Sequence, residues 1–294
     1  RNEVQNIGFV SGQNIDKIKY KNRLTIQELK LPRYFGAFFN QDKSAILENK
    51  NVRLALNHAT DRQAIIDKIL NGNGLIINSP MVGEILDINN NVTSYNFDVE
   101  KAKQILTADG WGNPDSNGIL TKRDTRLTLK LTTSTWPELT EVAAMLKEQW
   151  QAIGVEVTIE VLPISQLQQI IKDREYQILL FGEILNIDPD PFSLWHSSQK
   201  RDPGLNLALY ENKTADKLLE EARQTINPLE RMNKYDDFQK LVIADIPAVF
   251  LYSPYYLYSQ TNSIHGFSTS LISMPSDRFS NIGYWYIETN RSFK

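Results

Sequence analysis

The chain has 294 residues, 41% of them hydrophobic and 23% charged, with 32 Lys and Arg against 35 Asp and Glu for a net charge of −3. That length supports a sizeable core and two or three compact units, and the scattered basic residues exclude the electrostatic footprint of a nucleic-acid binder. With no cysteine, disulfides, zinc–thiolate sites and a thiol nucleophile are excluded as well, and no apolar run is long enough to span a membrane.

In chain order, residues 1–39 read as short strand-like or irregular pieces rich in aromatics. From Val52 to Leu70 the pattern is helical, as two short helices. Thr60 and Gln63 stand at capping-box spacing, and Asn71-Gly72-Asn73-Gly74 ends the second helix. Asp98 is a good N-cap for a helix running through Ala102, Ile105 and Leu106 to Gly110. Leu139, Val142, Ala143, Leu146 and Trp150 then repeat at i, i+3, i+4, i+7 and i+11, one face of an amphipathic helix. Pro137 sits in its first turn and Gly154 closes it.

Val155, Val157, Ile159 and Val161 alternate with polar residues, the period of a half-buried strand. A short helix around Leu167, Ile170 and Ile171 leads to an apolar strand, Tyr176–Phe181. Helices are predicted over about 214–225 and 229–244, then a buried strand over Ala248–Tyr252. Residues 256–294 again lack a convincing helix. Alternating helices and strands make the class α/β, with mixed strands flanked by helices. The two end segments form the edges of a second unit.

Motifs for catalysis are largely missing. No phosphate-cradling G-x-x-x-x-G-K-[ST] exists, and Gly72 and Gly74 follow a helix rather than a strand. Gly266-Phe267-Ser268-Thr269-Ser270 lacks the second glycine of a nucleophile elbow. His58, His196 and His265 are far apart in sequence. Asp236-Asp237 and Glu220-Glu221 lie on predicted helices as solvated faces.

One segment stands out, from Phe181 to Ser197, because it follows an apolar strand, carries Glu183, Asn186, Asp188, Asp190 and Trp195, and is stiffened by Pro189 and Pro191. Ligands in α/β sheets sit beyond the carboxyl ends of strands, and rigid aromatics beside a few polar groups suit a small-molecule pocket. The alternative reading takes Asp188-Pro189-Asp190 as a D-x-D holding a divalent metal in a glycosyltransferase-like enzyme.

Several stretches resemble the family 5 extracellular solute-binding proteins, the peptide and nickel group of ABC-importer receptors. Asn51-Val52-Arg53-Leu54-Ala55-Leu56-Asn57-His58-Ala59-Thr60-Asp61-Arg62 is similar to that family's V-R-x-A-[LI]-x-x-A-x-D-R, after an aromatic strand ending in Asn40. Asp98–Trp111 is similar to its helix closing in A-G-W, with Asp109 for the alanine. Trp150–Val157 resembles W-x-x-I-G-V-x-V, and Ile246-Pro247 with the following aromatics resembles its final strand.

The resemblance implies a binding protein without catalysis or cofactor, and a periplasmic-binding-protein-like clamshell of two lobes. Residues 40–255 would be the second, ligand-binding lobe. Residues 1–39 would hold partial first-lobe and crossing strands, and 256–294 would return to the first lobe. The family pattern is entered part-way, so a segment carrying a signal or lipid anchor and most of the first lobe is expected ahead of Arg1. The expected partners are an oligopeptide or similar small solute and an ABC permease in the membrane. The expected setting is the periplasm or the outer face of the cell membrane, as a monomer. By position against the family's G-W-x-x-D, Glu183 replaces the tryptophan, Asn186 replaces the amine-anchoring aspartate, and Asp188 takes that role after a shift. Ile164, Trp136, Glu138 and Tyr252 complete the implied pocket, together with Trp195.

Overall fold

The computed structural model describes residues 6–8, 10–18, 21–86 and 94–287; the parts of the end segments at 1–5, 9, 19–20 and 288–294 lie outside them. Two sheets carry the architecture. The larger is six-stranded and mixed. Its strands are β3 (Arg33–Phe39), β4 (Gly74–Ile76), β5 (Thr128–Ser134), β6 (Glu156–Leu162), β7 (Ile178–Ile184) and β8 (Ala248–Pro254), in the order β4-β8-β3-β7-β5-β6. The smaller is antiparallel, with β1 (Asn6–Gly8), β9 (Tyr256–Thr261) and β2 (Leu24–Leu29) side by side. The strand Arg33–Phe39, which the sequence groups with the first unit's crossing strands, is an interior strand of the larger sheet.

Helices cover both faces of that sheet. Alternation along the strands decides which residue meets which face. Phe35, Ala37, Phe39, Ile178, Leu180 and Val249 pack with α1 (Lys50–His58), α2 (Arg62–Leu70), α3 (Val99–Ala108) and α4 (Pro137–Gln151). Tyr34, Phe38, Leu179, Ala248 and Phe250 pack on the other side with α5 (Ile164–Asp173), α6 (Lys213–Gln224) and α7 (Pro228–Asp245). A third small cluster, around Leu29, Tyr256 and Tyr258, belongs to the smaller sheet.

Local chemistry sets the helix ends. Asp98 accepts from the Lys101 amide, as its position predicts. The start of α2 differs from expectation: Asp61, not Thr60, is the N-cap and accepts from the Ala64 amide. Thr60 is buried, donates to the Leu56 carbonyl at 2.7 Å and accepts from the Trp150 indole at 3.0 Å. Asn71 ends α2 in the left-handed region.

The chain crosses between the sheets twice. Lys30–Pro32 joins β2 to β3, and Tyr255 alone joins β8 to β9. Strand β8 carries a register shift between Phe250 and Tyr252, which pair with Gly36 and Phe35. Such a bulge re-aims the next side chain. Here Tyr252 joins the same core as Val249 and Leu251 instead of following Phe250.

Candidate functional site

The parallel strands β5 and β7 end at Ser134 and Ile184, and antiparallel β3 begins beside them, Arg33 pairing with Ile184. A cavity of about 540 Å³ opens at these ends, lined among others by Arg33, Phe35, Ser134, Trp136, Ile164 and Gly182. A second, of about 310 Å³, lies between the two sheets and is lined among others by Asn14, Arg33, Trp136, Glu138, Tyr255 and Tyr256. Arg33 and Trp136 border both, so the two form one cleft. Its position, beyond the carboxyl ends of parallel strands, is where α/β sheets place ligands.

Aromatic packing shapes the cleft floor. The Phe35 ring stacks on Tyr252 at 5.3 Å and meets Trp136 edge-on at 5.7 Å. Gly182 admits that ring, since a Cβ there would fall 2.8 Å from Phe35 Cε1. Trp136, 40% exposed, presents an apolar surface to the cleft.

The polar centre consists of Arg33, Glu138 and Tyr252. The Tyr252 hydroxyl donates to Glu138 Oε1 at 2.9 Å. Burial pushes the Glu138 carboxyl above its ordinary value, opposed by that hydrogen bond and by the Arg33 charge. Burial also lowers the Arg33 guanidinium from its ordinary value, against the pull of Glu138 and Tyr252. Glu138 lies in the first turn of α4, whose N-cap Trp136 supplies no side-chain hydrogen bond. The positive end of the helix dipole therefore opens on the cleft.

Trp136, Glu138 and Ile164 line this cleft, and buried Tyr252 reaches it through Glu138. The residues from the 181–197 segment are placed differently. Strand β7 runs three residues past Phe181, so Glu183 is part of the sheet. Glu183 borders the cavity, yet its carboxylate is buried and accepts from the Tyr34 hydroxyl, leaving Oε1 without a partner. Burial drives this carboxyl up to about 8. Trp195, 1% exposed, lies in the second core and donates to Tyr34 at 3.3 Å. Asn186 is exposed. Asp188 pairs with Arg231 of α7, and Asp190 with Arg223 of α6 at 2.7 Å.

Arg223 takes both oxygens of Asp190 and Arg231 takes one of Asp188, so both carboxylates of the D-x-D already face a cation. Among the described residues no cluster of three or more His, Asp or Glu could hold a metal ion. Sequence reasoning missed Arg33, Phe35 and the small-sheet wall at Asn14, Tyr255 and Tyr256. The one available signal was a lone arginine after Pro32, ahead of an apolar strand.

Residues 1–205 match the family described as bacterial extracellular solute-binding proteins, family 5 Middle. The chain is 28% identical over 276 residues to the oligopeptide-binding protein AppA of Bacillus subtilis, covering 92% of this chain and 49% of that one. It is 26% identical over 256 residues to a probable D,D-dipeptide-binding periplasmic protein of Escherichia coli, covering 86% of this chain and 47% of the relative. Among solved structures, AppA in complex with a nonapeptide superposes with a TM-score of 0.81 at 25% identity, over 98% of this chain and 56% of that one. NikZ of Campylobacter jejuni with Ni(L-His) gives 0.81 at 23% identity, over 96% and 57%. The chain thus spans about half the length of the curated relatives it matches. Sequence and fold together place this chain in family 5 of the bacterial extracellular solute-binding proteins.

Proposed function

We propose that this chain is part of the substrate-binding component of an ABC importer. It holds an oligopeptide or similar small solute without transforming it and hands it to a permease in the membrane. The protein works outside the cytoplasm, free in the periplasm or tethered by a lipid anchor. The unit built on the larger sheet is the ligand-binding lobe, and the strands from both chain ends belong to the other lobe.

The observation that carries this reading is the cleft at the strand ends, with Trp136 and Phe35 for apolar contact and Arg33 and Glu138 for polar contact, walled on one side by the smaller sheet. Closure of two lobes around a solute is a hinge motion, and the two interstrand crossings beside the cleft fit it. Micromolar retention requires about 8 kcal/mol, within reach of one charge-assisted pair and an enclosed aromatic surface.

Native mass spectrometry of the gently purified full-length protein tests the reading. A bound solute of defined mass is expected, lost in Trp136→Ala with the melting temperature unchanged. A solute that stays bound to Trp136→Ala would place the site elsewhere.

A further inference from the structure

We infer that Glu183 is a specificity-determining residue of this cleft, whose carboxyl group donates a hydrogen bond to an uncharged oxygen of the solute, an amide or ester carbonyl. The inference rests on the proposed receptor role and adds the chemistry of one contact, with a dependence on pH.

The direction of a short hydrogen-bond chain carries the argument. An indole N–H can only donate, so Trp195 Nε1 donates to the Tyr34 oxygen at 3.3 Å. The Tyr34 hydroxyl in turn donates to Glu183 Oε2. Antiparallel pairing of β3 with β7 sets these two residues opposite each other. The chain therefore reaches Glu183 with Oε2 already accepting, and the carboxyl's own proton belongs on Oε1. That oxygen is shielded from solvent and has no partner among the described residues. A buried donor left without an acceptor is costly.

Glu183 keeps its proton because its surroundings are dry. Burial pushes the carboxyl up to about 8, opposed by the Tyr34 hydrogen bond. The titratable groups that face it are Tyr34 from β3 and Tyr176 just ahead of β7, both uncharged and both raised by burial. Leu167 of α5, together with Leu194 and Trp195, fills the same core with apolar surface. Arg33, on the neighbouring strand, alternates to the other face of the sheet. A carboxyl kept neutral in this way serves as a hydrogen-bond donor.

Glu183 lines the 540 Å³ cavity together with Tyr34, Phe181 and Ile164, so a solute seated there supplies the acceptor. The apolar wall that keeps Glu183 uncharged penalises a charged oxygen as well. That selects a carbonyl over a carboxylate at this contact.

In the test, random tripeptides below saturation are dialysed to equilibrium against the full-length protein at pH 6 and pH 9, and bound and free peptide are measured by mass spectrometry. With the Glu183 proton leaving at about 8, the wild-type bound-to-free ratio is expected to be about tenfold lower at pH 9 than at pH 6. In Glu183→Gln, whose amide accepts from Tyr34 and donates at both pH values, the two ratios are expected to be equal. An equal drop in the wild type and in Glu183→Gln puts the titrating group elsewhere, such as the peptide amine, and overturns the inference. A folded Glu183→Gln that retains no peptide overturns it too. If circular dichroism shows Glu183→Gln unfolded, Tyr34→Phe decides. It removes the bond that holds the carboxyl down, so a smaller drop at pH 9 supports the assignment and an unchanged drop overturns it. No drop in the wild type overturns the inference and leaves the receptor role standing. Retention of no peptide by the wild type at either pH overturns the peptide reading, and the inference with it.

Discussion

The Tyr252 hydroxyl lies 2.9 Å from Glu138 Oε1, tying the bulged strand β8 to the first turn of α4 across the back of the cleft. Without the bulge, Tyr252 would follow Phe250 to the opposite face of the sheet, and Glu138 would keep its burial but lose its donor. The bulge thus acts on electrostatics: it decides whether a half-enclosed carboxylate beside Arg33 has a hydrogen bond.

Tyr252→Phe tests this link. Glu138 already holds its proton more tightly in the folded than in the unfolded chain, because burial raises it. The stability it contributes therefore falls as pH rises from the ordinary carboxylate range through the raised value. Removing the hydroxyl raises it further. The variant is expected to lose about 1–2 kcal/mol at pH 7 and less at pH 4, read by urea denaturation at both. An equal loss at both pH values would show that the hydroxyl does not act through the carboxylate.

Glu183 provides a stronger pH effect. Its folded value of about 8 stands far above the ordinary carboxyl value of 4.5, so stability is greatest at low pH and declines between those two values. The slope is on the order of 1 kcal/mol per pH unit. Glu183→Gln keeps an acceptor for Tyr34 and removes the titration. Its stability relative to wild type is expected to rise from pH 5 to pH 8, with a flatter pH profile in chemical denaturation. Parallel profiles would mean that Glu183 does not titrate in this range.

Asp188 and Asp190 are exposed partners of arginines, and surface pairs of this kind contribute about 0–1 kcal/mol. Asp188→Asn and Asp190→Asn are expected to change stability by no more than that and to leave manganese calorimetry flat, as in the wild type. Arg223→Ala costs more than Asp190→Asn, because the Arg223 guanidinium also lies 3.8 Å from the centre of the Phe192 ring. Stoichiometric manganese heat in the wild type, lost in Asp188→Asn, would revive the metal reading.

Arg53 and Arg62 join distant parts of the chain. Arg53 donates to the carbonyls of Asp245 and Ile246 at the end of α7, each at 2.8 Å, and to Leu47 at 2.6 Å. Arg62 donates to Phe250 at 2.6 Å and to Asn57 at 2.7 Å. Arg53→Ala and Arg62→Ala each leave several buried carbonyls without donors, and a loss of about 3 kcal/mol or more is expected in thermal or urea unfolding. A solute-binding defect without loss of stability would contradict this structural role.

These two arginines also show what the sequence made legible. They are the anchor letters of the motif that resembles the family, and they read out the architecture, joining α1 to the end of α7 and α2 to β8. The face Leu139, Val142, Ala143, Leu146 and Trp150 was equally readable, because a helix announces itself within its own sequence. Trp136 and Glu138 followed from their place at the opening of that helix.

The rest depended on partners that are remote in sequence. Gly182-Glu183-Ile184 looks like a loop until the antiparallel neighbour β3 extends the pairing to Ile184. The carboxylates of Asp188 and Asp190 look free until Arg231 and Arg223 arrive from α7 and α6. Trp195 is a pocket candidate by composition, but Tyr34 and Tyr210 enclose it. For Arg33 the only local signal is its place after Pro32, and its position where the two cavities meet appears only when β3, α4 and the smaller sheet are assembled.

The two crossings between the sheets contain or adjoin prolines, Pro32 one residue before Arg33 and Pro254 one residue before Tyr255. With φ fixed at each proline, hinge rotation falls to the few remaining backbone angles of Lys30, Leu31 and Tyr255. Tilting the smaller sheet must then carry Tyr255 and Tyr256 bodily toward or away from Trp136. The spacing between Tyr255, Tyr256 and Trp136 is thus tied to the angle between the two sheets, through crossings only three residues and one residue long.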